Sequence, residues 1–225
     1  MNDETEGVRA PQEGWLAPEV ERELGSLRLL YADVSVTRQS SLTGDSPADV
    51  QQRLRAQSSR FRGARAVAIR REPITAAYRV FYRQIGLDPD VQRTPVEEAV
   101  LERMLRGAFP SGGMLADVLL IAMLDTSVPV WALDSQGVHG RLGIRASVAA
   151  EALGRSADAP VLPAGSLVVA DDSGALAVLF GEIAPGHEPR GRSRELTLFA
   201  AQVAGVPSLY VEEALWSASA ALQSS

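Results

Sequence analysis

The chain has 225 residues, enough for one domain with a substantial core or for a domain with a small subdomain packed on it. Apolar residues make up 46% and charged residues 22%, the balance of a soluble globular protein, and no apolar run reaches the ~20 residues that a membrane-spanning helix needs. Cysteine and lysine are absent, which excludes disulfides, thiolate nucleophiles, Cys-based zinc sites and lysine Schiff bases, and a net charge of -6 argues against coating nucleic acid by bulk electrostatics.

The opening residues, MNDETEGVRAPQEG, are polar and acidic and predict a disordered tail over 1–14 with no leader sequence, so the cytoplasm is the expected location. A short helix is predicted from Pro18 to Leu24, stopped by Gly25, and a strand over LRLLYADVSV, Leu27 to Val36. After a turn at 40–45, Asp45 or Ser46 is expected to cap a helix running to Arg60, with Pro47 at an early position. Another helix spans Ile74 to Ile85, with Ala77, Val80, Phe81 and Gln84 on one side and Arg79, Tyr82 and Arg83 on the other. Thr94 and Pro95 open the next helix, whose first turn holds Glu97 and Glu98, where the helix dipole favours anions; it ends at Gly107.

An apolar helix then leads into a strand over Val128 to Asp134, with Asp117 and Asp134 expected to cap local backbone amides. Gln136-Gly137 predicts a turn with a returning strand over Gly140 to Arg145. Further strands are expected at Val161 to Pro163, Ser166 to Asp171 and Ala175 to Phe180, with Asp172-Ser173-Gly174 turning the last pair. A Gly/Pro-rich loop covers Pro185 to Arg192, a helix or strand-helix Ser193 to Ala204, and a closing helix Val211 to Leu222. This order of elements predicts an α+β fold.

Nine arginines between Arg53 and Arg83 face one acid, Glu72, giving the segment a local charge of +8 and leaving -14 for the rest. Two readings follow. Arg62, Arg65, Arg70, Arg71, Arg79 and Arg83 form a face that meets RNA phosphate, or they are a solvated helical face paired to acids elsewhere in the fold.

Leu115 to Asp134, LADVLLIAMLDTSVPVWALD, resembles the V-D-x-T-N-x-x-M-L-E-L-G-Q-P-x-H-A-Y-D stretch of the editing module (the B3/B4 domain) of the phenylalanyl-tRNA synthetase beta chain. Asp117, Met123, Leu124, Pro129, Ala132 and Asp134 coincide with it, whereas the family's Asn falls on Leu120 and its His on Trp131. GSLVVADDSGALAVLFGE is similar to the family's L-V-I-A-D…L-A-G-V-M-G-G hairpin; the later glycine is Gly181 and the earlier falls on Val178. The family's pocket glutamate falls on Phe199 in LTLFAAQV. YRVFYRQIGLDPDVQRTPVEEAVLERMLRG is similar to a segment of stand-alone relatives, with Arg93 matching their arginine and Thr94-Pro95 replacing Pro-Ser.

The resemblance implies a B3/B4-like domain over 76–225, with mixed or antiparallel sheets flanked by helices and with 15–75 as an arginine-bearing extension packed on it. It implies recognition of a free amino acid or an aminoacyl-tRNA end, and hydrolysis of a mischarged aminoacyl-tRNA in trans, with no cofactor and no metal. Neither DNA nor a membrane is an expected partner. Leu120, Trp131, Ala132, Asp134, Gly181 and Phe199 are the expected substrate-binding residues. With Leu120, Trp131 and Phe199 at polar pocket positions, the pocket becomes apolar and loses the hydrogen bonds that read a tyrosine hydroxyl. It either binds an apolar or aromatic group or is filled as core. His187 and Glu182, in and beside the charged loop, are the candidates for catalysis; a non-catalytic binding module is the alternative.

Overall fold

Strand pairing begins earlier in the chain than the sequence suggests. The computed structural model describes residues 10–156 and 158–224; of the expected tail, residues 1–9 lie outside this range, while Gln12–Glu13 (β1) pairs with Tyr31 and Leu30. Exposed polar side chains do not prevent edge pairing, because the ladder is made by backbone groups. Next come Trp15–Leu16 (β2), Pro18–Glu23 (α1) and Arg28–Ser35 (β3). In β3, Leu29, Tyr31, Ala32 and Val34 are buried; Asp33 and Ser35 share a face with Leu29 and Tyr31 but are exposed, so buried and exposed residues alternate only from Ala32 to Ser35.

The helical segments follow as Ala48–Arg60 (α2), Ala64–Ala68 (α3), Pro73–Gln84 (α4), Pro95–Arg106 (α5) and Met114–Thr126 (α6). Trp131–Asp134 (β4), Gly143–Ala146 (β5), Leu167–Asp171 (β6), Gly174–Val178 (β7), Glu195–Gln202 (β8) and Ser208–Gln223 (α7) complete the order. The fold is α+β, with two four-stranded sheets: β1-β3-β8-β4, antiparallel throughout, and β2-β5-β6-β7, mixed because β2 runs parallel to β5. All eight residues of β3 pair with β8, so the N-terminal segment shares a sheet and a core with the C-terminal half.

Four expectations need correction. The segment from Ser193 to Ala204, expected as a helix or as a strand leading into a helix, contains the strand β8 and no helix; it pairs on both sides, and six consecutive residues from Leu196 to Ala201 are buried. The strand after Gln136-Gly137 does not return along β4; it is β5 of the other sheet, since a turn sequence reverses a chain without choosing its partner. Val161 makes a single bridge to Ala152 instead of a strand. In α4, Val80 is 53% exposed while Tyr82 and Arg79 are buried. Tyr78, Phe81 and Tyr82, spaced i, i+3, i+4, form the inward face.

Buried acids fix the joints. Glu97 accepts from the Thr94 backbone N–H (3.3 Å) and Oγ1 (2.8 Å), which closes the expected cap of α5, and Gly107 ends the helix in the left-handed conformation. Ser46 does not cap α2. Its Oγ donates instead to Asp117 (2.6 Å), a fully buried carboxylate in the first turn of α6 that also accepts from Ser111 Oγ (2.6 Å) and Gly112 N (2.9 Å). A buried charge is tolerated only with such donors, so Asp117 ties the loops before α2 and α6 together.

Asp171 closes the β6–β7 hairpin. Burial disfavours its charge, but the Ser173 hydroxyl and the N–H groups of His139, Ser173 and Gly174 outweigh this and hold its carboxyl below the ordinary value of 3.8. A depressed folded-state pKa stabilises the fold above the unfolded value, and this contribution is lost as pH falls from about 4 through the folded value. Asp171→Asn is therefore expected to flatten the acid limb of the stability curve below about pH 4, and Asp171→Ala to cost about 1–3 kcal/mol at neutral pH by orphaning amides. Denaturant titrations across pH check both; an unchanged acid limb in Asp171→Asn contradicts the assignment.

Candidate functional site

Trp131 in β4 and Phe199 in β8 stand opposite each other in register, on the same face of the sheet. Their rings stack at 5.8 Å between centroids with planes 14° apart, and Tyr31 continues the row on β3, opposite Phe199. Phe199 is 1% exposed beneath the indole, which is itself half-buried. The resemblance therefore aligns two positions that the sheet does bring together, and apolar rings occupy both.

From the second sheet, the turn after β7 delivers Phe180. Its ring meets Trp131 edge-on at 5.6 Å, and Tyr78, Phe81 and Tyr82 of α4 at 5.7, 5.8 and 5.4 Å. Tyr78 is anchored by its hydroxyl, which donates to the Ala201 carbonyl (2.8 Å), and burial pushes both the Tyr78 and Tyr82 phenols well above the ordinary tyrosine range. Phe180 has φ +61°, the left-handed region that glycine favours; a β-carbon there costs roughly 1–2 kcal/mol, which the ring contacts offset. Sequence reasoning missed Phe180. Its only signal was an aromatic residue directly before Gly181 in a hairpin end.

Gly181 and Phe180 form one wall of a cleft of about 490 Å³, whose other walls include Leu24, Ile85, Leu87, Leu167 and Leu179 and whose polar side chains are Glu23, Gln84, Gln92 and Ser166. This is ligand-sized space whose lining is polar and apolar in equal measure. The other expected wall residues lie elsewhere. Leu120 lines a separate cleft of about 410 Å³ beside Phe109, Arg106 and Glu102. Ala132 is buried opposite Leu198 and, one residue after Trp131, points to the other face of its strand, so it does not share a wall with the indole. Asp134 holds a turn, accepting from Gln136 N (3.1 Å) and Ser193 Oγ, as a capping residue does.

The catalytic candidates do not meet the rings. Glu182 is exposed, and its carbonyl accepts from Val178 N (2.9 Å). His187 is 8% exposed, its buried Nδ1 has no hydrogen-bond partner among the described residues, and it lines a small cleft of about 190 Å³ with Arg155, Glu151 and Ser173. Its loop is docked to β4, since Asp134 N donates to the His187 carbonyl (2.9 Å). Among the described residues, no three His, Asp or Glu side chains converge as a metal site requires.

The arginine-rich segment divides in two. Arg79 is 7% exposed and lies inside, with Nη1 2.7 Å from Glu97 Oε1 and Nη2 2.6 Å from Asp90; it therefore cannot present its charge to RNA. Arg70 and Arg83 also pair with Asp90, whose carboxyl the Arg79 hydrogen bond and the arginine charges hold below the usual range. Arg62, Arg65 and Arg71 are exposed with no ion pair among the described residues, and the Arg65 guanidinium lies 5.2 Å from the centre of the Phe61 ring. The sequence matches no protein-family model and no curated protein.

Proposed function

We propose that the protein recognises an amino acid, free or as the aminoacyl end of tRNA, in the cleft beside Phe180, and that it binds without hydrolysing the ester. The Trp131–Phe199 stack carries this reading: apolar rings stand where the editing modules it resembles keep polar residues. Phe180, the aromatic residue on that cleft, with the Trp131–Phe199 stack behind it, favours an apolar or aromatic side chain over a hydroxylated one. Glu23 on the cleft suits the ligand's ammonium group, and the amides of Gln84 and Gln92 suit a carboxylate or ester carbonyl. Of the two residues expected for catalysis, Glu182 is exposed and His187 lines a different cleft, so neither is placed to activate water beside the rings. The exposed and unpaired Arg62, Arg65 and Arg71 supply a phosphate-facing surface for the rest of a tRNA.

Incubation with a panel of aminoacyl-tRNAs tests the proposal. The expected result is salt-dependent binding, weakened severalfold in the Arg62→Ala/Arg65→Ala/Arg71→Ala variant, with ester loss no faster than in buffer. Catalytic release of any amino acid overturns the non-hydrolytic reading, and no tRNA binding at low salt overturns the RNA surface.

A further inference from the structure

Three non-glycine residues have positive φ among those described, and Phe180 is the only one with a large side chain. Such a conformation persists only where its surroundings over-determine it. Here the surroundings are four rings, Tyr78, Phe81, Tyr82 and Trp131, all within 6 Å of the Phe180 ring centre. The four stand on regular elements, α4 and β4, two of them tied down further: Tyr78 by its hydrogen bond and Trp131 by the stack on Phe199. Phe180 itself stands on a four-residue turn, closed by Gly181 N donating to the Val178 carbonyl (2.9 Å), at the edge of the 490 Å³ cleft.

The walls are thus fixed and the occupant is on a turn. Gly181 next to it adds backbone freedom; a β-carbon there would lie 2.9 Å from Val178 Cβ, so only glycine fits the turn as it stands. We propose that Tyr78, Phe81, Tyr82 and Trp131 form an aromatic box, that the Phe180 ring is its internal occupant, and that the ring of an aromatic amino acid replaces it by displacing the turn into the cleft. This rests on the reading of the cleft as an amino-acid site and adds the ligand class and the gate. The box is matched to a phenyl ring because it already holds one. A protein whose site is self-occupied binds its ligand more weakly by the fraction of molecules in which the site is open.

The test titrates the wild-type protein and Phe180→Gly with L-phenylalaninamide, L-leucinamide and toluene, following ring-proton shifts of the box residues by NMR. Glycine suits the left-handed backbone at 180, and Phe180→Asn, which also tolerates it, is the second variant should the first not fold. Expected is at least a tenfold gain in affinity for L-phenylalaninamide in Phe180→Gly, a gain of less than threefold for L-leucinamide, and toluene uptake by both proteins with the wild type weaker by a similar factor. Toluene entering the variant but excluded from the wild type up to its solubility overturns the gate, because Phe180 is then a fixed core side chain. Equal gains for the phenyl and isobutyl amides overturn the box as an aromatic site. Toluene obeying the expected ratio while neither amide binds either protein leaves the box intact and removes the amino-acid reading.

Discussion

Glu97→Ala is expected to destabilise the protein by about 3–5 kcal/mol, the largest single loss outside the aromatic core. Its carboxylate is almost fully buried and accepts three hydrogen bonds at once, from Arg79 Nη1 at 2.7 Å and from the Thr94 hydroxyl and backbone amide that start α5, with Arg70 Nε a further 3.7 Å ion pair. Truncation removes the cap and leaves the Arg79 guanidinium inside the protein, with Asp90 and the Pro89 carbonyl as its remaining partners. The strength of the effect lies in leaving a buried charge with only the exposed Asp90 as its charged partner, rather than in the pair itself, since the attraction between two buried ions is largely cancelled by their desolvation. The double variant Arg79→Met/Glu97→Leu is therefore expected to recover a substantial part of the loss. For a chain of this size the single variant lowers Tm by roughly 10 °C. A Glu97→Ala protein within about 1 kcal/mol of wild type in denaturant unfolding contradicts this account of the α4–α5 joint.

Trp131→Ala is the second large expected loss, about 3 kcal/mol, at the low end for a large aromatic because the indole is only half-buried. The truncation uncovers Phe199 and removes one wall around Phe180. Trp131→Phe keeps a ring over Phe199 and is expected to cost less than half as much. Urea titration separates these outcomes from the binding effects, and equal stability of Trp131→Ala and wild type contradicts a packed stack.

Much of the fold was legible because its signals are local. Thr94, Pro95, Glu97 and Gly107 mark both ends of α5 through backbone chemistry that needs no tertiary context. The β-branched and aliphatic run of β3 is likewise a local signal. What local signals do not carry is the choice of partner. β5 left the predicted hairpin for the other sheet, and β8 reads ambiguously because a central strand, buried on both faces, has no period. Arg79 was assigned to the outside by its charge, although Asp90 and Glu97 provide the partners that let it turn in.

The candidate site was half legible. The resemblance named Trp131 and Phe199 together, and the register of β4 on β8 makes them neighbours. It grouped Leu120 and Gly181 into the same wall, but these residues line separate clefts. The feature that organises the rings, Phe180 in a glycine-like conformation, contradicts the residue's own backbone preference and so left no local trace.

Calorimetric titration of the wild-type protein and Trp131→Ala with L-phenylalaninamide and L-alaninamide tests the central claim, that the ring cluster reads an amino-acid side chain. The account predicts that wild type prefers the phenyl amide by at least tenfold and that the preference disappears in Trp131→Ala. Equal affinities of the wild-type protein for the two amides, or a preference that survives loss of the indole, contradict it.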